Sequence, residues 1–190
     1  SMSTNEGENL LEPGDTPAKN AQFLLFLTAV IKAVDENQDL LRISVASAGN
    51  DHRLGANEAP PAIISMYLGD ELQAVLESIK NGTAYDSKRK QKMKIGVDVL
   101  PFIPKDSTDR NRTSPFAFTG NKFEFRSLGS SLSISGPNTT LNAIVANTLK
   151  QFADELEKAK DFENSLHKLI RREITEHWKI IFNGNGYDSS

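Results

Sequence analysis

The chain has no cysteine. That excludes disulfides, thiolate metal sites and thiol nucleophiles together. Histidine is scarce as well. His52, His167 and His177 lie far apart in sequence and make no metal-ligand spacing. Neither a GxxxxGK[ST] nor a GxGxxG loop is present, so neither common nucleotide-binding fold is indicated. No apolar run is long enough to span a membrane; the longest, near Phe23 to Ile31, is interrupted by Thr28. Nor does one sign of charge dominate. The 22 Lys+Arg and 25 Asp+Glu leave a net charge of -3, which gives no global pull toward nucleic acid or an anionic membrane. With 190 residues, 25% charged and 38% hydrophobic, this is an ordinary soluble globular sequence with enough chain for one core. We expect a soluble, cytoplasmic protein.

What is present centres on Asp106 to Arg126. This stretch sets Arg110, Arg112, Lys122 and Arg126 around one carboxylate, Glu124, in a segment otherwise rich in Phe. From Lys122 to Arg126 charged and aromatic residues alternate. A strand with that period puts Lys122, Glu124 and Arg126 on one face and Phe123 and Phe125 on the other. An antiparallel strand with a solvated, salt-bridged outer face explains the pentapeptide equally simply.

Along the chain, Ser1 to Asp15 reads as extended loop. Thr16-Pro17 reads as an N-cap with proline at the first helical position. The helix that follows, to about Val34, carries apolar residues in nearly every direction, so it is predicted to be buried, in surroundings larger than a short chain easily provides. Leu40 to Ser47 fits a strand or a short helix. Ala48 to Pro61, with its glycines and prolines, is predicted to be a long ordered loop, and Ala62 to Leu68 a strand. Asp70 and Gln73 suggest a capping box before a helix whose face is Leu72, Val75, Leu76 and Ile79, ending at Asn81-Gly82. The basic run Lys88 to Lys94 lacks interleaved aromatics and reads as a solvated loop. Leu128 to Gly136 reads as loop. Two amphipathic helices follow, the first after Pro137-Asn138 and the second continuing to Ile181. His167, His177 and Trp178 fall on their pattern in structural roles. Asp154 and Lys158 are spaced to pair on the first helix. The stripes of this tail need a partner, and both termini are expected to be cuts through a larger protein.

Arg53 and Glu58 in the Gly/Pro-rich loop, with Arg112, Lys122, Glu124 and Arg126, make a set of cations around two carboxylates. Arginine's planar fork suits carboxylate or phosphate. A lone Glu among cations suits Mg²⁺ bridged to substrate phosphates, and phosphoryl transfer depends mostly on positioning and charge neutralisation. Surface ion pairs remain the plainer reading of the residues alone.

Two long segments carry a resemblance. Asp51-His52-Arg53-Leu54-Gly55-Ala56-Asn57-Glu58-Ala59-Pro60-Pro61, and then Asp109 through Arg126, resemble glutamine synthetase of the type III class, and the likeness continues through Ser135-Gly136-Pro137-Asn138 and beyond. It implies that Arg53 and Arg126 bind the glutamate substrate. Glu58 would sit on a flap and take a proton as ammonium becomes ammonia, while Arg112 would neutralise the transferred phosphoryl group. Lys122, with Arg112, would contact ATP, and Glu124 would bind the divalent metal, Mg²⁺ or Mn²⁺. Two positions depart from the family. Ala117 stands where commoner classes have an arginine, so the β-phosphate contact comes from elsewhere, such as Arg110, or is absent. Asn57 stands where an aromatic residue is common.

The resemblance implies an α+β fold, part of a glutamine synthetase/guanido kinase-like catalytic domain, with antiparallel strands, packed helices and a carboxy-terminal helical pair. Residues 1–136 would be part of the catalytic domain and 137–186 the helical pair of the same domain. The implied reaction joins ammonia to L-glutamate at the expense of ATP through a γ-glutamyl phosphate, in a ring-shaped homo-oligomer. The chain alone would be inactive, because the family's small β domain and its other metal ligands belong upstream of Ser1. Three alternatives stand beside this: a non-catalytic structural or assembly segment, a phosphagen kinase-like phosphotransferase, and a basic-loop nucleic-acid binder.

Overall fold

The computed structural model of the chain describes residues 1–56, 59–85 and 114–184. Asn57, Glu58, the basic run Lys88 to Lys94, Arg110 and Arg112 lie outside these residues. The fold is mixed α and β, and helix α1, Ala21–Glu36, lies at its centre. Asn20 caps it, its side chain accepting from the Phe23 amide at 3.0 Å. Thr16 and Pro17 instead begin a single 3₁₀ turn, Pro17–Lys19, in which Thr16 makes no side-chain cap. The same Asn20 donates to the carbonyls of Glu12 and Pro13, tying the amino-terminal segment to the helix start.

The all-round apolar α1 is buried as expected: Phe23, Leu27, Ile31 and Val34 lose almost all contact with solvent. Its cover, however, comes from this chain, so larger surroundings are not required. Helix α5, Ser135–Leu156, and helix α6, Phe162–Glu176, pack on it with Ile144, Phe152, Leu166, Leu169, Ile170 and Ile174 in one core. The two tail helices thus find in α1 the partner their stripes need. Helix α5 starts at Ser135, two residues before Pro137, which is tolerated because first-turn amides have no intrahelical acceptor. Asp161 caps α6 by accepting from the Asn164 amide. The second helix stops at Glu176, short of Ile181, and Trp178–Ile180 forms a 3₁₀ turn. Trp178 packs partly against the core, with the Lys80 ammonium 4.6 Å from its ring centroid. Lys158 lies beyond the end of α5 and makes no ion pair with Asp154.

Three short strands, β1 (Met66–Tyr67), β2 (Phe116–Phe118) and β3 (Phe123–Phe125), make the sheet. β2 and β3 are antiparallel, but β1 and β2 are parallel, which corrects the expectation of antiparallel strands alone. On its other edge β1 accepts the Phe182 amide at Met66 O, and the Asn183 side chain accepts from the amides of Leu68 and Gly69. The predicted strand over Ala62 to Leu68 is therefore two residues long. Helix α4, Asp70–Asn81, follows with its expected buried face of Leu72, Val75 and Leu76. Its N-cap is Gly69, at φ 85°, so no capping box forms, and Asp70 is the first helical residue, where its charge favours the helix dipole. Gly82 ends α4 in the left-handed conformation, at φ 67°, as Asn81-Gly82 suggests.

The segment open to two readings, Leu40 to Ser47, is helical: α2 spans Gln38–Ser44. The predicted loop from Ala48 begins as a helix, α3, Ala48–Arg53, because the Ser47 side chain caps it by accepting from the Asn50 amide. The loop proper starts after Arg53, turning at Gly55 (φ 81°) and closing where the Gly55 amide reaches Pro60 O at 2.9 Å. No helix among the described residues is long and apolar enough to cross a membrane.

Candidate functional site

Strand β3 has the two faces its period predicts. Phe116 pairs with Phe125 and Phe118 with Phe123 across the β2–β3 ladder. Phe116 stacks on Phe123 at 4.9 Å and Phe118 meets Phe123 edge-on at 5.2 Å, while Phe118 reaches Phe23 of α1. This aromatic cluster anchors the strand to the core and leaves Glu124 outward. Arg126, just past the strand, turns back so that Nε and Nη2 lie 3.3 and 3.2 Å from Glu124 Oε2. Glu124 Oε1 accepts nothing from the described residues. Lys122 lies in the β2–β3 turn rather than in the strand, and its side chain is exposed. Its carbonyl accepts the Thr119 amide at 2.8 Å, closing a turn that requires Gly120 at φ 97°. Ala117, fully buried, lies directly across from Glu124.

Arg53 comes to this face from α3. Its Nε donates to Asn50 Oδ1 at 3.1 Å and its Nη2 approaches Arg126 O at 3.4 Å. Arg53, Glu124 and Arg126 are thereby brought together, whereas Glu58 and Arg112 fall outside the described residues. The Asn50 amide donates to Val45 O and to Ser127 O, both at 2.8 Å. Next to it Arg42 and Asp51 form an ion pair at 2.6 Å. A separate open cleft of about 280 Å³, lined by Glu8, Asn9, Glu12, Asn20 and Phe23 among others, includes none of the predicted site residues.

A second group of charges lies between α1 and α6. His177 Nδ1 is 2.7 Å from Asp35 Oδ2, and its Nε2 is 3.3 Å from Glu173 Oε2. Lys32 Nζ bridges Glu36 at 2.8 Å and Glu173 at 3.1 Å, while Arg172 pairs with Glu173 and forks onto Glu155. Burial pushes the Lys32 ammonium down, but its hydrogen bond to Glu36 and its close pairing with Glu173 outweigh this and leave it above its ordinary range. Burial likewise pushes Glu173 up, and Arg172 and Lys32 more than reverse this, holding its carboxyl below the usual range. Glu155 is held low by Arg172, and Arg172 is raised in turn by Glu155 and Glu173. Glu173, Glu176 and His177 offer ligand atoms within 4.8 Å of one another, a spacing that would admit a metal ion. The Lys32 ammonium already supplies a cation to Glu173 there, so the cluster reads as an ionic clamp joining α1 and α6, although Glu173 Oε2 and His177 Nε2 lack well-aligned hydrogen-bond partners.

Known proteins can now be set beside this geometry. The chain is 54% identical over 98% of its length to the type-3 glutamine synthetase of Dictyostelium discoideum. It is 44% identical to a glutamine synthetase of Bacteroides fragilis and 48% identical to one of Butyrivibrio fibrisolvens, again over 98% of its length. The chain is homologous to part of glutamine synthetase. It spans about a quarter of the length of these curated relatives, 26 to 27%. No protein-family model matches it.

Arg53 and Arg126 are legible in the motifs, whereas Asn50, which binds both their neighbourhoods, is not. The only local signal was the Ser47 cap that makes α3 helical and sets Asn50 and Arg53 three residues apart on one side. The clamp was missed for a different reason: Asp35 and His177 are separated by 142 positions.

Proposed function

We propose that the protein carrying this chain joins ammonia to L-glutamate using ATP, through a γ-glutamyl phosphate. The observation that carries this reading is the gathering of Arg53, Glu124 and Arg126 on one face of a chain 54% identical to a type-3 glutamine synthetase. Arg53 and Arg126 bind glutamate; their planar donors suit carboxylates. Glu58, on the loop that closes at Gly55 and Pro60, accepts the proton from ammonium, which makes the nucleophile. Arg112 neutralises charge on the transferred phosphoryl group, and with Lys122 it contacts ATP. Glu124 fits as one ligand of Mg²⁺ or Mn²⁺: it is a hard oxygen donor, about two-fifths exposed, with Oε1 uncommitted among the described residues. A divalent ion held there would supply positive charge to offset the negative charge of a transferred phosphoryl group.

The fold reading that goes with this function is part of a glutamine synthetase/guanido kinase-like catalytic domain, with residues 1–136 carrying the site and 137–186 the helical pair. The single core shared by α1, α5 and α6 supports treating both as one domain. We place the enzyme in the cytoplasm as a ring-shaped homo-oligomer. The 190 residues alone contribute one metal carboxylate, so this segment by itself is expected to be inactive. The test is glutamate- and ammonia-dependent ADP release. The full-length protein should show it and the 190-residue segment should not. Transfer of phosphate to a guanidino compound by the full-length protein would instead support the phosphagen kinase reading.

A further inference from the structure

We propose that Asn50 is a positioning residue that sets the glutamate affinity of the site by holding Arg53 and the Arg126–Ser127 backbone in one register. The proposal rests on the reading above that Arg53 and Arg126 bind glutamate. Asn50 is 3% exposed, and its amide is used on both sides. Nδ2 donates to Val45 O, at the end of α2, and to Ser127 O, just past β3. Oδ1 accepts from Arg53 Nε. The opposite amide orientation would set Oδ1 against two carbonyl oxygens and the NH₂ group against the Arg53 N–H, so the surrounding groups permit only this one.

Two consequences follow for Arg53. Its Nε edge is committed to Asn50, so a substrate carboxylate is met by the far pair of nitrogens, Nη1 and Nη2, in a fixed plane. Its Nη2 also approaches Arg126 O, and Arg126 in turn donates its amide to Pro115 O at 2.8 Å and its guanidinium to Glu124. One buried amide therefore sets the distance between two arginines 73 positions apart in sequence. Gly129 completes the arrangement. A Cβ there would lie 3.2 Å from Asn50 Oδ1 and 3.8 Å from Arg53 Nε, so any side chain at 129 presses on the Asn50–Arg53 bond. The absence of a carbon at 129 is part of how Arg53 is held.

The experiment is steady-state kinetics on the full-length enzyme carrying Asn50→Ala, Gly129→Ala, Arg53→Ala, or Asn50→Ala with Arg53→Ala. Asn50→Ala should raise the glutamate KM about tenfold through the loss of a hydrogen bond to a charged group, while the ATP KM stays within about twofold. Gly129→Ala should move the same constant in the same direction by about threefold, and it decides the matter if Asn50→Ala does not fold. In the Arg53→Ala background Asn50→Ala should add less than about twofold, since the two act as a unit. An unchanged glutamate KM in Asn50→Ala and Gly129→Ala, with a large rise in Arg53→Ala, would overturn the role of Asn50 and leave the site reading intact. No change in Arg53→Ala would overturn the site reading and this inference with it. Equal rises in the glutamate and ATP constants would mark Asn50 as merely structural.

Discussion

The molecule holds two clusters of carboxylates and cations built from similar residue types, and they differ in how far solvent reaches them. Between α1 and α6, Lys32, Asp35, Glu173 and His177 lie in contact, each side chain at most 12% exposed. On the face of β3, Glu124 is paired with Arg126 yet 44% exposed, and Arg53 reaches the Arg126 backbone carbonyl. The first cluster uses its charges to join helices. The second holds a carboxylate at a surface with Glu124 Oε1 uncommitted among the described residues, which is the arrangement a cation needs. Charge count alone does not separate a clamp from a site; burial does.

The sharpest way to break this contrast is Glu124→Gln in the full-length enzyme. If Glu124 is the metal ligand proposed above, turnover should fall about 100-fold or more, with the melting temperature little changed because the side chain is 44% exposed and lies outside the core. A drop in melting temperature with full turnover would make β3 the clamp. The converse variant is Glu173→Gln. It leaves the largely buried Lys32 facing a neutral amide and should cost about 3 kcal/mol in chemical denaturation, with little change in glutamate KM.

A pH series sharpens the same point with a smaller effect. The folded-state pKa of Glu173 is lowered, so its stabilisation is complete above the unfolded value near 4.5 and is lost as pH falls through the lower folded value. Glu155 has the same sign but is more exposed, so solvent screens its part. The folded-state pKa of Lys32 is raised, so its contribution is complete below 10.5 and is lost as pH rises past that value. Denaturation midpoints should therefore drop at both extremes, and Glu173→Gln should flatten the acid limb. Least affected should be Arg42→Ala, which opens the exposed pair with Asp51 and should change stability by less than about 1 kcal/mol.

How much of this could be read in the residues varies with the range of the interaction that decides each element. The period of Phe123-Glu124-Phe125 and the stripe Leu72-Val75-Leu76 are local patterns, and both elements stand where the pattern puts them. The Asn81-Gly82 stop is local too, since only the left-handed conformation at Gly82 is at issue. Ala48 to Arg53 was misread as loop because glycine and nearby prolines outweighed the Ser47 cap. The parallel pairing of Met66 with Phe116 has no local signature at all, since it depends on a partner 50 positions away. The same holds inside the candidate site. Arg53, Lys122, Glu124 and Arg126 were legible as a motif, while the amide that orients Arg53 was not.

The residues alone determined which segments are helical by period, which face of β3 is aromatic and which is charged, and the relationship to glutamine synthetase through two long motifs. These depend on spacing within a few positions or on the order of residues along the chain. Only the tertiary structure decided that α1 is covered by this chain's own α5 and α6, and that Asp35, Glu173 and His177 form a clamp. It alone decided that Asn50 joins Arg53 to the backbone after β3. Those outcomes depend on directed hydrogen bonds and packing between residues far apart in sequence, whose distances exist only once the chain has folded.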